Sequence, residues 1–268
     1  MLTRIRIVEQ EVTSALVLED DVDWDVRIKA QLSDFAKASR LLVQPLRATP
    51  EEFLDPTMSQ PITHVAQQDF IVGDYETIVP TTSPYGDTSR WDLLWLGHCG
   101  CRFPRASDGN VPLGRAVIIN DTTVPRRENL DMELGNNELI EQYPDHTRVV
   151  SRARVNSCTL AYGVSQRGAR RFLYEVGIHK MSDPNDTMFR YICDGVEGRH
   201  IGICLTVQPQ LFQHHRPVGP RSAFSDISNH GSGYNEHAET KNIMKSVRLN
   251  FEPLINGDEN LVNSYPIV

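Results

Sequence analysis

The sequence predicts an α/β fold with a mixed, mainly parallel sheet flanked by helices, and three observations lead there. Continuous apolar runs of strand length recur at residues 15–18, 91–97, 158–164 and 201–207. Such runs do not alternate with polar residues, which suits strands covered on both faces, as in parallel sheets. Helical periodicity separates several of them, and alternation of the two kinds of element is the signature of an α/β domain.

Taken in order, residues 4–13 are compatible with a helix, and Ala15-Leu16-Val17-Leu18 follows as the first buried strand, ending in Glu19-Asp20-Asp21. A helix is expected from about Asp25 to Arg40, with Val26, Ile28, Leu32, Phe35 and Ala36 as its apolar stripe. Residues 49–90 are rich in Pro, Thr, Asp and Gln and read as a loop-rich insertion with one or two short strands. Trp91 to Gly97 forms the second strand, and residues 105–150 look irregular. After the third run, Ser165 is a good N-cap for a helix reaching about Val176, with Gly177 as its C-cap. A short helix is expected near Asp186, and the fourth run closes the pattern. Two regions result: a domain over residues 1–227 and a polar C-terminal tail over 228–268, rich in His, Asn, Ser and Gly.

The composition of the 268 residues, 40% hydrophobic and 23% charged, is ordinary for a globular protein. No stretch approaches the roughly 20 consecutive apolar residues of a membrane helix, so no membrane segment is expected. Nor does the N-terminus read as a signal peptide. A net charge of -8 disfavours nucleic acid as a partner, because phosphates repel an acidic surface. Arg152 and Arg154, and Arg167, Arg170 and Arg171, cluster locally as either solvated faces or the border of an anionic substrate. Five cysteines cannot all pair within the chain, and Cys158, Cys193 and Cys204 read as buried thiols. Asn120-Asp-Thr and Asn185-Asp-Thr are sequons that matter only in a secretory compartment. The compartment itself stays open.

The sharpest feature is Leu18-Glu19-Asp20-Asp21-Val22-Asp23. Four carboxylates in five positions repel one another and require solvation or a compensating cation. Mg²⁺ or Mn²⁺ supplies that compensation through oxygen ligands and can bridge to phosphate. An acidic turn that merely follows a strand is the competing reading. His214 and His215 follow the fourth run and are candidate ligands, whereas His98 reads as a hydrogen-bonded core or surface residue. Asp186 either caps a helix N-terminus or takes a proton from an attacking hydroxyl.

Together these segments resemble glycosyltransferase family 25, which includes lipopolysaccharide-type and collagen galactosyltransferases, and the wording looks most like the fungal branch. The resemblance rests on residues 15–22, 91–97, 161–173 and 209–227, in family order and ending in Phe224-Ser225-Asp226-Ile227. It implies a GT-A-like nucleotide-diphospho-sugar fold, a UDP-sugar donor (commonly UDP-galactose), a glycan or protein acceptor, and Mn²⁺ as the usual metal. On this reading Glu19, Asp20 and Asp21 contact the donor, Asp20, Asp21, Asp23 and His214 hold the metal, and Asp186 is the acceptor-side carboxylate. Family members begin with a base-binding strand ahead of the first helix, but here Met1 stands inside or just before that helix. An N-terminally truncated form is therefore expected, with either transferase activity or a noncatalytic binding role. A secretory location would follow if a longer form carries an anchor. A phosphohydrolase is a third reading that lacks a second acidic cluster.

Overall fold

The computed structural model describes residues 2–56, 58, 68–109, 111–132, 136–225 and 229–266. In chain order the elements are α1 (Leu2–Glu9), β1 (Ser14–Leu18), β2 (Val22–Trp24), α2 (Ile28–Val43), β3 (Asp69–Ile71), β4 (Leu93–Gly97), β5 (Arg115–Ile118), α3 (Glu138–Gln142) and β6 (Arg148–Arg152). There follow β7 (Ala161–Ser165), α4 (Gln166–Tyr174), α5 (Asn185–Asp194), β8 (Cys204–Gln208), β9 (Phe212–Arg216), β10 (Gly219–Pro220), β11 (Tyr234–Asn235), β12 (Glu239–Thr240) and α6 (Phe251–Asn256). Ten strands form one sheet whose main path is β1-β7-β4-β8-β6-β5-β3, with β9 joining β4 to β2 and β12. Among the described residues, no helix is long and apolar enough to cross a membrane.

The α/β expectation holds, but the mainly parallel sheet does not. Only β3–β5, β4–β8 and β4–β9 are parallel among the ladders of the described residues. β7 runs antiparallel between β1 and β4, and β6 antiparallel between β5 and β8. The physical cause is the insertion of β6 and β7, which enter the sheet in reverse.

β4 shows why an unbroken apolar run is needed in the middle of the sheet. Successive side chains of a strand point to opposite faces. Leu93 and Trp95 pack with Phe172, Met188, Phe189 and Ile192 on the side of α4 and α5, while Leu94 and Leu96 pack with Phe35, Leu42 and Val43 of α2. β1 has the same kind of run but a different position. Ala15 and Val17 join the α4–α5 side, whereas Leu16 and Leu18 are 49% and 43% exposed. The expectation that this strand is buried on both faces is thus corrected: it stands at the sheet edge, and no second layer covers it.

Local chemistry sets α4. Ser165 accepts the Gly168 N–H at 3.0 Å, as an N-cap should. Gly168 lies so close to the Asp92 carbonyl that an added Cβ would come within 2.1 Å of its oxygen. The helix does not stop at Gly177; a wider turn carries it through Glu175–His179. Arg167 and Arg171 reach back to the buried Asp92 at 2.8 and 3.2 Å. Arg154 lies between Asp108 and Asp194, and Arg152 donates to the Gly202 carbonyl. These four cations serve the fold rather than a substrate.

Two further corrections concern the ends of the sequence reading. Cys158, Cys193 and Cys204 are not thiols: Cys99–Cys158 and Cys193–Cys204 are disulfides, and the buried Cys101 stays free. The sulfurs meet because the 158 loop lies over the end of β4 and α5 packs on β8. The C-terminal segment is no detached tail either. β12 pairs with β9, Ser246 and Asn250 are completely buried, and Ile243 is 1% exposed.

His98 lies in the core with Nε2 on the Val207 carbonyl at 2.9 Å, and Nδ1 accepts the Gly100 N–H. Burial lowers its pKa to about 4. An unfolded chain takes up this proton below about pH 6.5, and the folded one only near 4. The unfolded state therefore binds more protons in that window, and stability falls as pH drops through it. Thermal unfolding followed from pH 7 to 4 should show this loss, on the order of 3 kcal/mol over the whole window, and His98→Gln should remove that part of the pH dependence.

Candidate metal-binding cleft

A cleft of about 1150 Å³ opens where β1 and β4 end and β7 and β9 begin or pass. The turn after β1 places Glu19 and Asp21 on one wall. β9 supplies His214 from almost two hundred residues further along. One ligand atom from each of these three residues lies within 4.8 Å of the others. His214 Nε2 is 3.6 Å from Asp21 Oδ2, while its Nδ1 is 3.8 Å from Cys99 Sγ. Two carboxylates and an imidazole with room left for other ligands suit Mn²⁺, and also Zn²⁺.

Electrostatics favours a cation here. Partial enclosure, and then the charges of Asp21, Asp186 and Asp20, raise the Glu19 pKa, against a hydrogen bond from Thr159 at 2.9 Å. Burial, and then Arg216, lower the His214 pKa to about 4, against the pull of Asp21. A neutral imidazole next to crowded carboxylates is the state a metal ligand requires.

The sequence-derived candidates separate in space. Glu19, Asp21 and His214 converge, and Asp186 lines the same cleft. Asp186 Oδ2 accepts the Cys158 N–H at 3.1 Å, so the disulfide-anchored loop positions it. Asp20 is exposed and does not join the converging ligand atoms. Asp23 is corrected from ligand to structural residue. Its carboxylate is fully buried and accepts from the Trp24 and Arg248 N–H groups and from the Thr240 and Ser246 hydroxyls. His215 turns instead toward Thr240 at 3.0 Å. Within the Ser225-Asp226-Ile227 signature, Ser225 lines the cleft, and the other two lie outside the described residues.

The cleft also holds basic groups outside the acidic turn: Arg216, Arg221, His230 and Lys241 line it together with Phe224. The Arg216 guanidinium lies 5.4 Å from the Phe224 ring centre and 3.7 Å from Asp21 Oδ2. Gln213 is 1% exposed and accepts the His214 N–H, leaving its Nε2 without a partner among the described residues. Had Phe212–Arg216 been read as a strand, period-two spacing would have put Arg216 on the His214 face.

No protein-family model, curated protein or solved structure matches the chain. What the cleft does is therefore inferred from its chemistry and from the resemblance noted above.

Proposed function

We propose that this protein is a metal-dependent glycosyltransferase with a GT-A-like fold, moving a sugar from a UDP-sugar, with galactose the first candidate, to an acceptor hydroxyl on a glycan or protein. The observation that carries the reading is the convergence of Glu19, Asp21 and His214 in one cleft with Arg216, 3.7 Å from Asp21, and Arg221. A purely acidic site would repel a diphosphate, and a purely basic one would hold no cation. This cleft offers ligands for both.

Glu19, Asp21 and His214 would hold Mn²⁺, or Mg²⁺ in its place, and the ion when bound neutralises charge on the diphosphate. Arg216 and Arg221, which line the same cleft, would meet the same charge as it grows on the departing leaving group. The Phe224 ring offers a stacking face for a base or sugar. Asp186, held through one oxygen by the Cys158 N–H, takes the acceptor proton on the other. The bond between the anomeric carbon and the diphosphate oxygen breaks, and one to the acceptor oxygen forms.

Calorimetric titration of UDP into the purified chain should show binding that requires Mn²⁺. Release of UDP from a UDP-sugar should then depend on an added acceptor. Release of UDP without acceptor would point to hydrolysis instead, and no binding by a folded chain would sink the transferase reading and leave a noncatalytic binding or partner protein.

A further inference from the structure

The loop after β5 carries Asn120-Asp121-Thr122, one of the two sequons, and the fold presents it outward. Asn120 and Thr122 are both exposed. Asp121, between them, turns in: its carboxylate accepts from the buried Arg148 at 2.8 Å and from the Thr123 N–H at 2.9 Å. Asn120 adopts a left-handed φ of 56°, and its carboxamide has no hydrogen-bond partner among the described residues. A tight turn anchored by its middle residue thus leaves the acceptor amide and the +2 hydroxyl free. The other sequon is placed differently, since Asn185 is the first residue of α5, follows Pro184 and lines the cleft.

A second observation bears on whether a sequon is used at all. Cys99–Cys158 and Cys193–Cys204 are disulfides, and such bonds persist in oxidising compartments and are rare where thiols are kept reduced. The secretory compartment is also where Asn-x-Thr acceptors are modified. We propose that the folded protein carries an N-linked glycan on Asn120 and none on Asn185. The Asn120 amide nitrogen forms a bond to the anomeric carbon of an oligosaccharide borne on a polyprenyl diphosphate. The carbon–oxygen bond to that diphosphate breaks, and the amide proton passes to a base of the host transferase. The glycan projects from the β5 loop, and the cleft stays open. This proposal stands apart from the transferase reading.

The test expresses the full chain behind a secretory leader in eukaryotic cells and maps the peptides of the secreted, disulfide-bonded product. Treatment with peptide N-glycanase in oxygen-18 water should convert Asn120 alone to labelled aspartate. Asn120→Gln and Thr122→Ala should each abolish the glycanase-sensitive mobility step, and Asn185→Gln should keep it. Translation of the same variants with microsomes reads Asn120 use without requiring secretion. An unmodified Asn120 in both systems, or a glycan on Asn185 of the secreted protein, would overturn the proposal.

Discussion

Asp23→Ala should unfold the protein more readily than any other substitution in the acidic loop, lowering stability by about 3–4 kcal/mol. The Asp23 carboxylate is inaccessible to solvent and collects two backbone N–H groups and two hydroxyls. Alanine leaves these donors buried without an acceptor, and each orphan costs about 1–3 kcal/mol, part of which relaxation recovers. Thermal denaturation should report a midpoint lower by on the order of 10 °C. Asp23→Asn, which keeps one acceptor oxygen, should fall between the two. A metal-ligand role predicts the reverse, with stability kept in the absence of metal and affinity lost. A stable Asp23→Ala chain would therefore restore Asp23 as a ligand.

Asp21→Ala should have the opposite signature. Its carboxylate is about one-third exposed and lies 3.6 Å from His214 and 3.7 Å from Arg216, both of which reach solvent, so its loss leaves no fully buried donor behind. Stability should stay within about 0.5 kcal/mol of the parent. Affinity for Mn²⁺, measured by titration of the ion alone, should drop on the order of 100-fold, because one of three protein ligands is gone. Metal-dependent UDP binding should be lost with it. Unchanged Mn²⁺ affinity in a folded Asp21→Ala chain would remove the cation from the cleft and the proposed function with it.

These two residues show where sequence reading reaches and where it stops. An acidic run after an aliphatic strand is visible in one dimension, and the cleft does form there. Direction is not visible, since three of the four groups that claim Asp23 lie 217 to 225 residues away. His214 was legible as a residue but not as part of a strand, because Phe212-Gln-His-His-Arg216 has no apolar alternation where one face lines a cleft. β6 escaped for a related reason. Arg148 and Arg152 bracket it, and arginine normally signals exposure. Both are buried, Arg148 against Asp121 at 2.8 Å and Arg152 on a backbone carbonyl. The four apolar runs were legible because the strands they form are the simplest case, and three of them end up covered on both faces. The disulfides were not legible, since pairing depends on proximity that only the fold creates.

The clasp of Thr240, Ser246 and Arg248 on Asp23 also has a meaning in time. A ribosome delivers Ser246 223 residues after Asp23, which at ordinary synthesis speeds is an interval of roughly 10–45 s. Throughout that interval the acidic turn has no lock, whatever else of the sheet has condensed. The acidic side of the cleft therefore gains its lock only once the segment around Ser246 has been made, more than two hundred residues after the turn itself.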